Sequence, residues 1–246
     1  MRSRGLAGAV KSAPLLKVFR LLYDHFGPRH WWPAETPFEV IVGAILTQAV
    51  SWRNVERAVA NLKARGLLEV EALAAVDEET LAGLIRPAGY YRVKARKLKA
   101  FVAYLQGSYR GRLEDLFSRP LGPLREELLS IYGIGPETAD SILLYAGGYP
   151  TFVVDAYTHR VFHRLGFFPA RMAYEEMRGF FLERLPPDVS LFNEYHALID
   201  ELAKSLCRRR EPLCGGCPLA TLCPQAGIKA AQGLAEKAGP PAKPLE

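Results

Sequence analysis

The chain has 246 residues, of which 49% are hydrophobic, and a formal net charge of +6 from 32 Lys and Arg against 26 Asp and Glu. That length buries one large core or two smaller ones, and no stretch resembles a membrane span, so the expectation is a soluble protein with no membrane partner. The modest basic excess favours a polyanionic partner without identifying one.

Arg2 and Arg4 open the chain, but the apolar residues that follow are broken by Lys11 and rich in glycine. They make no secretory h-region, and the reading is cytoplasmic. Residues 1–12 and 225–246 are rich in Ala, Gly, Pro and Lys, with too few large apolar groups to offset ordering, and both ends are expected to be mobile. Between them the apolar residues return at three- and four-residue steps, which predicts an all-α fold. Pro37 opens a helix in which Val40, Ile41, Ala44, Ile45 and Gln48 share a face, with Val55, Val59 and Leu62 continuing the pattern after Trp52. Asp77 is a natural N-cap for a helix striped by Leu81, Leu84 and Ile85 and ended by Pro87 and Gly89. A further helix is expected over 93–105, and Gly122-Pro123 introduces another through Leu128 and Leu129.

The stretch Leu129-Ser130-Ile131-Tyr132-Gly133-Ile134-Gly135-Pro136-Glu137-Thr138-Ala139-Asp140 is a helix end, a glycine-flanked apolar turn and a new helix. It reads as a helix-hairpin-helix. Gly133 and Gly135 permit backbone conformations closed to other residues, Ile134 plugs the turn into the core, and amides at the start of the next helix can point at a phosphate. Pro136 gives up an amide that the first helical position does not need. A plain αα-hairpin uses the same residues, so the motif alone leaves DNA binding open.

Cys207, Cys214, Cys217 and Cys223 are the only cysteines, spaced C-x6-C-x2-C-x5-C. Four thiolates that share one centre relieve one another's repulsion through a metal, whereas two disulfides here would close very short loops. Zinc ribbons pair two C-x2-C knuckles and this segment has one, which favours an iron–sulfur cluster over zinc. The Cys-Pro steps at 217–218 and 223–224 suit either, so the spacing does not settle the metal.

After the hairpin come Gly148-Tyr149-Pro150 and Val153-Val154-Asp155. With these the chain resembles the helix-hairpin-helix DNA glycosylases of the endonuclease III superfamily, whose Gly/Pro…Asp signature this is. Leu46-Thr47-Gln48, Gly89-Tyr90-Tyr91-Arg92-Val93-Lys94-Ala95, Arg160-Val161 and the four cysteines extend the likeness over about residues 14 to 224. The resemblance implies a six-helix barrel over 37–150 that holds the hairpin. It implies a second, discontinuous domain of 14–36 and 151–224 with a [4Fe-4S] loop at 207–223, zinc being the alternative. The two domains would flank a DNA cleft into which one nucleotide is flipped. The implied partner is double-stranded DNA carrying a damaged base, bound by a monomer.

Breaking an N-glycosidic bond builds positive charge on the sugar, and a carboxylate beneath it stabilises the transition state and orients water. The resemblance assigns that role to Asp155, which also suits the N-cap of a following helix. Members that cut the strand carry a lysine two residues after the second hairpin glycine, where this chain has Glu137. A carboxylate cannot form a Schiff base, so the expected enzyme is a monofunctional glycosylase, with Glu137 in the base pocket. Trp31, Trp32 and Trp52 are the only tryptophans, and flat rings sandwich an extruded, positively charged purine well. Together with Glu137 they make the chain similar to the 3-methyladenine DNA glycosylase III branch and point to alkylated bases. Gln48 resembles the family's wedge, and Gly133, Ile134, Gly135 and Thr138 are the expected DNA contacts of the hairpin. The basic runs Arg92, Lys94, Arg96, Lys97, Lys99 and Arg208, Arg209, Arg210 are candidate phosphate grips. The alternatives are a glycosylase with lyase activity or one for oxidised, deaminated or mismatched bases, and a damaged-DNA binding protein without chemistry.

Overall fold

A computed structural model describes residues 3–227, and among them every regular element is helical. In chain order the helices are α1 (Ser3–Phe26), α2 (Pro37–Leu46), α3 (Trp52–Lys63), α4 (Val70–Ala75), α5 (Glu78–Leu84), α6 (Tyr91–Tyr109), α7 (Leu113–Leu116), α8 (Leu121–Ser130), α9 (Pro136–Ser141), α10 (Ala156–Arg164), α11 (Tyr174–Leu182) and α12 (Val189–Ser205). None is long and apolar enough to cross a membrane among the described residues. The expected mobile amino terminus lies in α1 from Ser3 on, whereas 228–246, most of the expected mobile tail, lies outside the described residues.

Several ends are set by the residues the sequence singles out. Asp77 caps α5 by accepting from the Thr80 amide at 2.8 Å, and Thr36 caps α2 by accepting from Glu39 at 3.1 Å with Pro37 in the first turn. Two expectations need correction. The helix expected over 93–105 runs from Tyr91 to Tyr109, because the stop is supplied by left-handed Arg110 and Gly111 rather than by the last apolar residue. Gln48 lies outside a helix. α2 stops at Leu46, the Thr47 hydroxyl turns back onto the Gly43 carbonyl at 2.6 Å, and Ala49 adopts φ +54°. The buried ammonium of Lys94 takes the Leu46 carbonyl at 2.8 Å, so a helix end that would otherwise strand an acceptor is satisfied from α6.

The chain divides into two compact units, 1–29 with 154–186 and 194–246, and 30–153 with 187–193. These boundaries depart from the expected 14–36, 37–150 and 151–224 by a few residues at each junction and by the short piece 187–193. In the second unit α2 is the hub: seven of its apolar side chains are buried, and it packs on α3, α6 and α9. Ile41, Ile45, Val55, Leu62, Leu81, Leu98, Phe101, Leu105, Leu128 and Ile142 complete that core. A buried pair ties α8 to α9: Arg125 grips Asp140 through both carboxylate oxygens at 3.0 and 2.9 Å, and the Thr151 hydroxyl donates to the same carboxylate at 2.8 Å. The first unit is built on aromatic contacts, with Phe162 4.8 Å from Phe181 and Phe19 5.3 Å from Tyr195. Tyr195 is fully buried, and its hydroxyl donates to the Leu15 carbonyl at 2.8 Å, which anchors α12 to α1.

Candidate functional site

The hairpin between α8 and α9 carries the first group of candidate residues. Gly133 sits at φ +81°, and a Cβ there would lie 2.3 Å from Lys97 Cγ, so both backbone and packing demand glycine. Gly135 differs from expectation. Its φ of −91° and ψ of 176° are open to any residue, and a Cβ would meet nothing within 4 Å. Its missing side chain leaves the start of α9 bare to an approaching group. Ile134 is buried and its amide donates to the Ile131 carbonyl at 3.1 Å, so it plugs the turn and spends its N–H internally. Pro136 opens α9, and Glu137 stands exposed in its first turn, where a helix dipole favours an acid.

Gln48 is bound to this hairpin. Its Nε2 donates to the Gly133 carbonyl at 3.1 Å and to Thr138 Oγ1 at 2.9 Å, while Lys97 Nζ donates to its Oε1. Thr138, an expected DNA contact, is buried, and its hydroxyl accepts from Gln48. The same contacts revise the basic run. Lys94 is 2% exposed, its ammonium is shared between the Leu46 and Ala88 carbonyls at 2.8 and 2.7 Å, and burial together with the nearby charge of Lys97 lowers its pKa to about 8. Lys99 donates to the carbonyls of Leu73, Ala74 and Val76 at the end of α4, and Arg92 pairs with Glu79 at 3.2 Å. Lys94 and Lys99 thus close helix ends, and Arg92 stands in an exposed ion pair.

The three tryptophans form one cluster in the same unit. Trp31 lies 5.3 Å from Trp32 and 5.0 Å from Trp52, Trp32 lies 5.0 Å edge-on to Trp52, and Tyr145 joins at 5.2 Å from Trp32. Gly43 makes room for it, since a Cβ there would stand 3.0 Å from Trp32 Cζ2. Trp52 Nε1 donates to Glu56 at 2.8 Å, and all three indoles are half-buried.

In the other unit, Asp155 ends the extended, buried run Phe152-Val153-Val154 and caps α10. Its Oδ1 accepts from the Thr158 amide at 2.7 Å and from the Thr158 hydroxyl at 2.8 Å. Oδ2 has His196 Nε2 at 4.0 Å, and 17% of the Asp155 side chain is accessible. Oδ1 is thus held by two hydrogen bonds, and Oδ2 lies on the side of the His196 ring. Behind it, Ala156, Tyr157, Arg160, Ala203, Lys204, Arg208 and Arg209 line a recess of about 800 Å³. The Arg160 guanidinium lies 4.9 Å over the Tyr157 ring, and three further cations line the same surface.

All four cysteines line one cavity of about 240 Å³ with Arg164, Leu206, Arg209, Glu211, Pro212 and Leu213. Burial pushes the Cys217 thiol up, the Leu219 amide partly offsets this, and the neighbouring Cys207, Cys223 and Cys214 add to the rise. Yet no three His, Cys, Asp or Glu among the described residues converge closely enough to share a single ion. The donor set that the cavity gathers is the four cysteine sulfurs. Arg160 and Arg164, four apart on α10, hold the loop: Arg160 donates to the Ala203 and Cys207 carbonyls at 2.9 Å, and Arg164 to those of Arg208 at 2.8 Å and Arg209 at 3.1 Å.

Sequence reasoning missed the partners that fix these groups: Lys97 on Gln48, Thr158 and His196 at Asp155, Tyr145 beside the tryptophans, and Arg164 beneath the cysteine loop. Only the last left a trace, the i,i+4 spacing of Arg160 and Arg164.

Residues 42–187 match the family described as the HhH-GPD superfamily base excision DNA repair protein. A protein of Methanocaldococcus jannaschii that carries the provisional name DNA repair glycosylase is 48% identical over 211 residues, 85% of this chain and 95% of that one. Among solved structures, the Helicobacter pylori 3-methyladenine DNA glycosylase bound to 1,N6-ethenoadenine aligns with a TM-score of 0.68 at 28% identity, over 78% of this chain and 97% of that one. An endonuclease III in a non-covalent DNA complex aligns with a TM-score of 0.77 at 24% identity, over 89% and 98%, a likeness of fold.

Proposed function

The chain belongs to the HhH-GPD superfamily of base excision DNA repair glycosylases, and from that premise we propose a monofunctional enzyme that hydrolyses the N-glycosidic bond of an alkylated, 3-methyladenine-like base in double-stranded DNA. The observation that carries the reading is Asp155. Thr158 holds one carboxylate oxygen through two hydrogen bonds, so the other keeps a defined position from which to face positive charge on the sugar and orient the attacking water. A base that is already cationic needs little help to leave, so the reading assigns no general acid to that side. Its recognition falls to the indole faces of Trp31, Trp32 and Trp52 through cation–π attraction, with Glu137 adding a complementary charge. The likeness to a 3-methyladenine glycosylase supports this choice of base.

The placement of the amines supports the reading without strand cleavage. Glu137 occupies the position of the family's lysine nucleophile. Lys94, whose lowered pKa would suit a nucleophile, is buried with its ammonium bound to two carbonyls, and Lys97 is bound to Gln48. Phosphates are met by the bare start of α9 at Gly135 and by the cations of the α10 recess, and Gln48 is the wedge that fills the gap left by the flipped nucleotide. Cys207, Cys214, Cys217 and Cys223 would hold a [4Fe-4S] cluster, which would cross-link the loop that carries Arg208 and Arg209.

The test is base release and strand cleavage from duplexes that each carry one lesion: 3-methyladenine, uracil, 8-oxoguanine, or a T·G mismatch. Free 3-methyladenine from the wild type, none from Asp155→Asn, and an uncut abasic strand are expected. Release of a different base alone would overturn the alkylated substrate, and a borohydride-trapped covalent adduct would overturn monofunctionality. Excision by Asp155→Asn at the wild-type rate would remove Asp155 from the chemistry.

A further inference from the structure

The side-chain amide of Gln48 has one permitted orientation. An ammonium only donates, so Lys97 Nζ must face Oε1; a carbonyl only accepts, so Gly133 must face Nε2, at 3.1 Å. Thr138 Oγ1 takes the second Nε2 hydrogen at 2.9 Å. Both amide hydrogens are committed inside the protein, and the capacity left over is one lone pair on Oε1. The ammonium is itself placed by packing, because the Lys97 stem lies across Gly133 where any Cβ would collide with its Cγ, Cδ and Cε. Three segments distant in sequence therefore meet on one side chain: the loop after α2, the middle of α6, and the hairpin.

We propose that Lys97, with Thr138, is a positioning residue that holds Gln48 in one pose on the hairpin before DNA binds. This rests on the reading of Gln48 as the wedge. A glutamine free to rotate would pay for its ordering when it entered the duplex, whereas a clamped one has paid on folding, and the ammonium adds a charge-assisted bond to the oxygen. Lys97 acts through Gln48 and touches neither the sugar nor the base.

The experiment uses the full chain and a lesion-independent probe: a duplex with a single tetrahydrofuran abasic analogue and 2-aminopurine paired immediately 3′ to it. Insertion of a wedge unstacks the 2-aminopurine and raises its fluorescence, which is read at saturating protein so that affinity and insertion are separated. The wild type should give the full rise, Gln48→Ala should abolish it, Lys97→Met should cut it at least threefold, and Lys97→Arg should restore more than half. Thr138→Val, which removes the other anchor and leaves Lys97 intact, should lower it as well. If Gln48→Ala keeps the rise, the wedge reading fails and the proposal with it. If Gln48→Ala loses the rise while Lys97→Met keeps full amplitude with only weaker affinity, Lys97 is a phosphate contact and the positioning role is overturned with the wedge intact. A loss in Lys97→Met that Lys97→Arg does not repair marks a packing defect and overturns it too.

Discussion

Lys94 sits 2% exposed beneath the end of α2 at Leu46, two residues before Gln48, and it makes stability depend on pH in a way that can be worked out. Burial lowers its pKa from 10.5 to about 8. The unfolded chain therefore binds more protons between those values, and stability must rise with pH across that window. The full effect is about 3 kcal/mol, of which about 1.3 kcal/mol is gained between pH 7 and pH 9. Replacing Lys94 by Met removes the titration but strands the Leu46 and Ala88 carbonyls, each costing about 1–3 kcal/mol. The two changes oppose one another at pH 7, so the level of stability decides little and the slope decides the question. Urea unfolding of the wild type and of Lys94→Met at pH 7 and pH 9 gives a double difference from which other titrating groups cancel. The wild type should gain about 1.3 kcal/mol more than the variant over that interval. Equal gains would refute the depressed ammonium, and with it the account of how α2 ends.

Gly133→Ala forces a Cβ into left-handed backbone and against Lys97, and should destabilise the protein by at least about 1–2 kcal/mol in thermal or urea unfolding; an unchanged midpoint would mean the turn relaxes freely. Thr158→Val removes the hydroxyl bond to Asp155 Oδ1 but keeps the amide bond, so single-turnover base release should fall about 3- to 10-fold, with little change in DNA affinity. An unaltered rate would show that the amide alone positions the carboxylate. Cys214→Ser should abolish the iron and acid-labile sulfide of the purified protein, and about four iron atoms per chain are expected in the wild type. Stoichiometric zinc in their place would overturn the cluster.

Much of the fold was legible because its signals are local. Helical spacing, the Asp77 cap, Pro37 and Pro136 at helix starts, and the glycine-flanked Ile134 each act within a turn or two of chain, and the helices and hairpin follow from them. The cysteine segment and the Val153-Val154-Asp155 run were legible for the same reason, being compact clusters of chemically distinctive residues. Charge was legible only as charge. Lys94, Lys97 and Lys99 look alike in sequence, yet one ends α2, one clamps Gln48 and one closes α4.

That difference belongs to tertiary structure. A lysine stem reaches several ångströms from its backbone, and what its ammonium meets depends on segments up to 49 residues away. The same holds for Gln48, which helical spacing put on one face with Val40, Ile41, Ala44 and Ile45, while its partners at Gly133 and Thr138 lie 85 and 90 residues on. Hydrophobic periodicity specified which residues leave water. Where each remaining polar group found its partner was decided by the packing those residues produced, because a buried donor or acceptor must be satisfied by whatever the fold brings within 3 Å.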